Sequence, residues 1–113
     1  MTAARLLQEG AQMGEYVVTG AAAVPVGELA AFDVDGARVA IANVGGTFHA
    51  FGDTCTHLHC SLAEGKLDGT VVTCACHGSQ FDVTTGEVLR GPAQTPVRSY
   101  SARVENDALR IES

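Results

Sequence analysis

The sequence predicts an all-β domain, an antiparallel sandwich or small barrel of about ten short strands. Two observations predict it. From Glu15 onward the chain repeats a short apolar or alternating run followed by a turn signal, and nothing in it carries a helical pattern longer than two turns. A third observation sets this domain apart from an ordinary one: all four cysteines lie in two short motifs, Cys55-Thr56-His57-Leu58-His59-Cys60 and Cys74-Ala75-Cys76-His77-Gly78-Ser79.

Taken in order, Glu15 to Thr19 reads as a first strand because Tyr16, Val17 and Val18 suit a pleated surface and Gly20 ends the run. Glu28 to Val34 and Ala37 to Val44 flank Asp35-Gly36, a hairpin dipeptide, since glycine tolerates the positive φ that a tight turn needs. Val39 and Ile41 alternate with Ala40 and Ala42, which predicts one buried face. Asn43-Val44-Gly45-Gly46 turns the chain into Thr47 to Phe51, a third antiparallel strand. Past the first motif, Gly65 and Asp68-Gly69 are turn signals and Thr70 to Thr73 is a strand leading into Cys74. Past the second, Gln80 to Val83 and Glu87 to Leu89 enclose Thr84-Thr85-Gly86, and Val97 to Glu105 and Ala108 to Glu112 close around Asn106-Asp107. Residues 1–14 read as a flexible N-terminal tail, and the remainder, 15–113, as one domain with no repeat or linker.

Composition narrows the function. The chain has 113 residues and a formal net charge of -6, with no cluster among its seven basic residues. Phosphate contacts need a concentrated basic face, so nucleic acid and anionic membrane are excluded as partners. No stretch approaches a membrane span, and Met1 to Gly14 holds neither a secretory apolar run nor a twin-arginine pair, which predicts a cytoplasmic protein; a monomer is expected.

Both cysteine motifs fall on loops between strands. Cys-x-His, 16 residues, then Cys-x-x-His supplies two thiolates and two imidazoles. As donors alone, these suit either a tetrahedral zinc ion in a structural module or a [2Fe-2S] cluster with two cysteines on one iron and two histidines on the other. No nucleotide or flavin fingerprint, oxygen-activating triad or nucleophile–base pair accompanies them, which points away from bond chemistry within this chain.

The chain resembles the Rieske iron-sulfur family from about Gly14 onward. The resemblance is carried by the two motifs, by Ser61-Leu62 and Leu67-Asp68-Gly69, by Phe81-Asp82 with Thr85-Gly86, and by Gly91-Pro92-Ala93. It implies a Rieske fold with a loop-built cluster-binding subdomain over about residues 53–96, in which Cys55 and Cys74 hold the buried iron and His57 and His77 the outer one. Neutral imidazoles in place of two thiolates lower the negative charge on the cluster, so it accepts an electron more readily.

The remaining cysteines, Cys60 and Cys76, resemble the disulfide pair of the respiratory branch of the family, although two free thiols would be the ordinary state in a reducing cytosol. The size of the chain and the absence of a leader resemble the soluble ferredoxins that serve ring-hydroxylating dioxygenases. The resemblance further implies that the Ser79 hydroxyl donates to a bridging sulfide and that Phe81 stands where a tyrosine donor occurs in the high-potential branch. It also makes the Pro92 loop a lid on the cluster. His49 and His59 are expected to be bystanders. The implied function is one-electron transfer from a flavin-dependent reductase to a terminal oxygenase, with a high-potential subunit of a quinol-oxidising complex as the alternative.

Overall fold

The computed structural model of the chain describes residues 15–57, 59–105 and 108–112. The expected tail over 1–14 and the Asn106-Asp107 turn lie outside them. Ten strands follow one another: β1 (Glu15–Val18), β2 (Leu29–Val34), β3 (Ala37–Val44), β4 (Thr47–Gly52), β5 (Lys66–Asp68), β6 (Val71–Thr73), β7 (Gln80–Asp82), β8 (Val88–Arg90), β9 (Ser99–Glu105) and β10 (Ala108–Glu112). They build two antiparallel sheets, one in the order β1-β10-β9-β4-β3-β2 and one in the order β5-β6-β7-β8. Single 3-10 turns at Ala21–Ala23 and Leu62–Glu64 are the only helical pieces among the described residues.

The β2–β3 hairpin forms at the expected dipeptide. Asp35 and Gly36 both take positive φ, 51° and 85°, and Val34 pairs with Ala37 across a two-residue turn. That is the turn hand that matches the twist of the flanking strands. β5 departs from the sequence reading, which left Lys66-Leu67-Asp68 between turn signals. Three residues are too few to show alternation, and the strand exists because Gly69, at φ 61°, folds it back onto β6 with Asp68 opposite Val71.

β3 corrects a second expectation. Both of its faces are buried, not one: Val39, Ala40, Ile41 and Ala42 are all 1% exposed or less. Val39 and Ile41 enter a core with Val18, Ala21, Val34, Ala50, Leu109 and Ile111, while Ala40 and Ala42 face a second core with Phe51, Leu62, Val72, Phe81, Val83 and Val97. The second core joins the small sheet to the large one. A residue type that reads as neutral in the sequence is thus part of a buried packing surface on that face. Buried Asn43 is satisfied, donating from Nδ2 to the Val24 carbonyl at 2.8 Å and accepting the Gly46 amide at 2.8 Å.

The β7–β8 connection anchors the far side of the small sheet. Asp82 Oδ1 accepts both the hydroxyl and the amide of Thr84, and these two bonds, the hydroxyl first, hold its carboxyl below the ordinary aspartate range. Gly86 sits at φ 82° with its carbonyl accepting the Val97 amide at 2.9 Å, and a Cβ there would lie 2.2 Å from the Val97 carbonyl oxygen. Both the backbone conformation and the contact exclude a side chain. Gly86→Ala is therefore expected to cost about 2–4 kcal/mol of unfolding free energy, read as a fall in the denaturant midpoint; a variant as stable as the parent would show that this junction yields without cost.

Candidate metal centre

The two cysteine motifs fold into the same six-residue turn. In the first, the Cys55 amide donates to the Cys60 carbonyl at 2.8 Å and the His59 amide returns to the Cys55 carbonyl at 2.9 Å. In the second, the Cys74 amide donates to the Ser79 carbonyl at 2.8 Å and the Gly78 amide returns to the Cys74 carbonyl at 3.1 Å. The fifth residue of each turn has positive φ, 62° at His59 and 80° at Gly78. Closing the turn this way directs its first side chain inward and leaves the middle of the loop outward. Accordingly Cys55 and Cys74 are 1% and 3% exposed and unpaired, whereas His77 is exposed and His57 half-buried.

The histidines meet at the surface above the cysteines. The rings of His57 and His77 lie edge to face with centroids 5.2 Å apart. The structure therefore sorts the four sequence-predicted ligands into two inner thiols, which share one buried cluster, and two outer imidazoles in contact with each other. His49, half-buried on β4, and His59, exposed, are outside this set.

Three further ties hold the loops together. Cys60 and Cys76 are joined by a disulfide, with Cα atoms 6.5 Å apart, which links the first loop to the second. The Ala93 amide donates to Ser79 Oγ at 3.0 Å, which links the second loop to the loop over 91–97. The Thr56 hydroxyl donates to the Thr95 carbonyl at 2.6 Å and closes the triangle. In the third loop Ala93 and Val97 are buried, and Pro92 is exposed. Ser79 is itself 1% exposed, with its hydroxyl oxygen accepting the Ala93 amide.

Sequence reasoning missed Asp53. It is 2% exposed and acts as a clasp under the first loop: it accepts the Ser61 hydroxyl at 2.6 Å and the Ala63 amide at 2.9 Å, with Arg38 Nε at 3.9 Å. Its position two residues before Cys55 was the only signal, and an acidic residue before a loop reads as solvated. The fit of a single metal ion can be tested from the donors. A tetrahedral zinc with bonds of about 2.0–2.3 Å needs all four donor atoms within about 4 Å of one another. Among the described residues the only three donors that lie within 4.8 Å of one another are the sulfurs of Cys60, Cys74 and Cys76, and two of those are bonded to each other. The donors of Cys55, His57, Cys74 and His77 are spread too far for one ion. They fit a larger group with two ends, a thiolate end inside and an imidazole end outside.

Comparison with known proteins agrees. Residues 14–101 match the family model described as the Rieske [2Fe-2S] domain. The chain is 46% identical over 90 residues to the biphenyl dioxygenase ferredoxin subunit of Pseudomonas sp. (strain KKS102), covering 79% of this chain and 83% of that protein. Its structure is similar to the ferredoxin of carbazole 1,9a-dioxygenase from Nocardioides aromaticivorans IC177, with a TM-score of 0.81 and 28% identity over 86% of this chain and 95% of that one. It is also similar, with a TM-score of 0.76 and 32% identity over 88% and 91% of the two chains, to a structure described as a complex of reduced oxygenase and oxidized ferredoxin in carbazole 1,9a-dioxygenase.

His59 occupies a backbone conformation that its counterpart in the second turn fills with glycine. His59→Gly is expected to raise the unfolding free energy by roughly 0.5–1 kcal/mol, because the relief of left-handed strain exceeds the added chain entropy. His59→Val should lower it. Denaturant unfolding of the two variants checks the sign, and a destabilised glycine variant would show that the imidazole makes a contact worth more than the strain.

Proposed function

Because the chain belongs to the Rieske [2Fe-2S] family, we propose that it is a one-electron carrier, taking an electron from a flavin-dependent reductase and passing it to a terminal oxygenase. The observation that carries this reading is the sorting of the four ligands into a buried thiol pair and a surface imidazole pair on one end of the molecule. Residues 15–113 form the domain and about 53–96 its cluster-binding part. Cys55 and Cys74 would hold the inner iron, and His57 and His77 the outer one. The group supplies a reversible one-electron site when bound.

The protein's own residues decide what that site can do. Phe51, Leu62, Val72 and Phe81, buried together with Cys55 and Cys74, exclude water from the inner side. The disulfide and the Thr56–Thr95 and Ser79–Ala93 bonds keep the loops from reorganising when the charge changes, and small reorganisation favours fast transfer. The edges of His57 and His77 are the exit toward a partner. With the ligand positions taken by protein side chains, the chain is a carrier that serves an enzyme.

The docking end has a distinctive composition. The loops over 54–61, 74–79 and 91–97 contain no Asp, Glu, Lys or Arg, so the net charge of -6 is carried elsewhere. Partner recognition at this end rests on shape and neutral contacts. The alternative, a high-potential subunit of a quinol-oxidising complex, is favoured by one observation, the Cys60–Cys76 disulfide.

Three measurements test the reading. The reduced protein should give the paramagnetic resonance of a mixed-valence iron pair; a colourless, silent protein with bound zinc overturns it. Ser79→Ala should lower the midpoint potential by roughly 40–65 mV, the one-electron equivalent of about 1–1.5 kcal/mol for one hydrogen bond, while an unmoved potential would remove Ser79 from the sulfur environment. Electron transfer to a ring-hydroxylating oxygenase should change less than about threefold between low salt and about 0.5 M salt, as expected of an uncharged contact. A steep fall would place the docking surface on a charged face instead.

A further inference from the structure

The Sγ atoms of Cys60, Cys74 and Cys76 lie within 4.8 Å of one another. Two form a disulfide, and the third is free and buried. A cysteine thiolate that close to a disulfide is the reactant pair of thiol–disulfide exchange, which proceeds by attack of the thiolate on one of the two sulfurs. Holding all three in one rigid site makes the reaction intramolecular, with the effective concentration that follows. A change of side-chain rotamer swings a sulfur through a distance comparable to the gap it has to close.

We propose that, without its cluster, the chain rearranges its own disulfide and thereby locks a ligand. The Cys74 thiolate attacks Cys60 Sγ; the Cys60–Cys74 bond forms, the Cys60–Cys76 bond breaks, and Cys76 leaves as the thiolate. One S–S bond replaces another, so no oxidant or reductant is consumed and the number of free thiols stays at two. Burial decides which sulfur is attacked. Cys76 is exposed and departs into water, whereas departure of half-buried Cys60 would leave a charge in a poorly solvated place. Attack on Cys76 would also join residues separated by Ala75 alone, a span that strains a disulfide.

The inference rests on the assignment of Cys74 as an iron ligand, since iron holds the Cys74 sulfur and withdraws it as a nucleophile. In the exchanged chain Cys74 is tied to Cys60 and has no thiolate to offer iron. Cluster insertion must therefore precede the exchange, or follow its reversal or the reduction of the exchanged bond by a dithiol. The device distinguishes a chain that has never held its cluster or has lost it from one that is loaded, and it marks the difference on the surface as a free Cys76 thiol.

Disulfide mapping tests this on the full, loaded chain. The protein is stripped anaerobically with an iron chelator, desalted to remove chelator and released sulfide, and held at about pH 8 with no added thiol. Samples are quenched in acid at intervals, alkylated, digested and mapped by mass spectrometry beside an unstripped control. The expected result is that the alkylated pair changes from Cys55 and Cys74 to Cys55 and Cys76 while the total stays at two, with the control unchanged. Persistence of Cys55 and Cys74 as the alkylated pair in the stripped chain overturns the proposal. Equal exchange in the unstripped control supports the exchange itself and overturns the assignment of Cys74 as a ligand.

Discussion

Two main-chain hydrogen bonds, from the Cys55 amide to the Cys60 carbonyl and from the Cys74 amide to the Ser79 carbonyl, determine nearly everything about the site. Each closes a six-residue turn and so fixes which side chains point into the protein. A backbone amide in a dry place has to be paired, and pairing it within the turn satisfies that demand without help from the sheet. The inner placement of both thiols follows, as does the outward placement of the imidazoles. Everything else in the loops, including the disulfide, adjusts one turn against the other.

The scaffold's part is to carry these turns without letting them drift. Asp53 holds the first at its base through Ser61 and Ala63, and Ser79 holds the second to the third loop through Ala93. These are buried polar groups with their partners in place, the arrangement in which such groups make a structure unique instead of weakening it. The exposed ion pairs that join Glu15 and Glu105 to Arg103 and Arg110 contrast with them. They knit β1, β10 and β9 on the surface, where water screens them, and they contribute little to stability.

Much of this was legible in the residues because the candidate ligands come in fixed local spacings and the hairpins carry their own dipeptides. Cys55, His57, Cys74 and His77 could be grouped without coordinates, and Asp35-Gly36 and Thr84-Thr85-Gly86 fell where the chain turns. What stayed hidden depends on contacts between distant segments. The two-sided burial of β3 could not be read from Ala40 and Ala42, because alanine is equally at home in water and in a tight interface. Asp53 looks like any loop acid until Ser61 and Ala63 close over it. The strain at His59 is a backbone property: it holds a positive φ at the place in its turn where the second turn has Gly78.

β3 serves both halves of the protein, since its valine and isoleucine side belongs to the large sheet's core and its alanine side supports the small sheet. Ala40 and Ala42 lie in the same buried cluster as Cys55 and Cys74, so a larger side chain at either position would be felt at the two thiols as well as between the sheets.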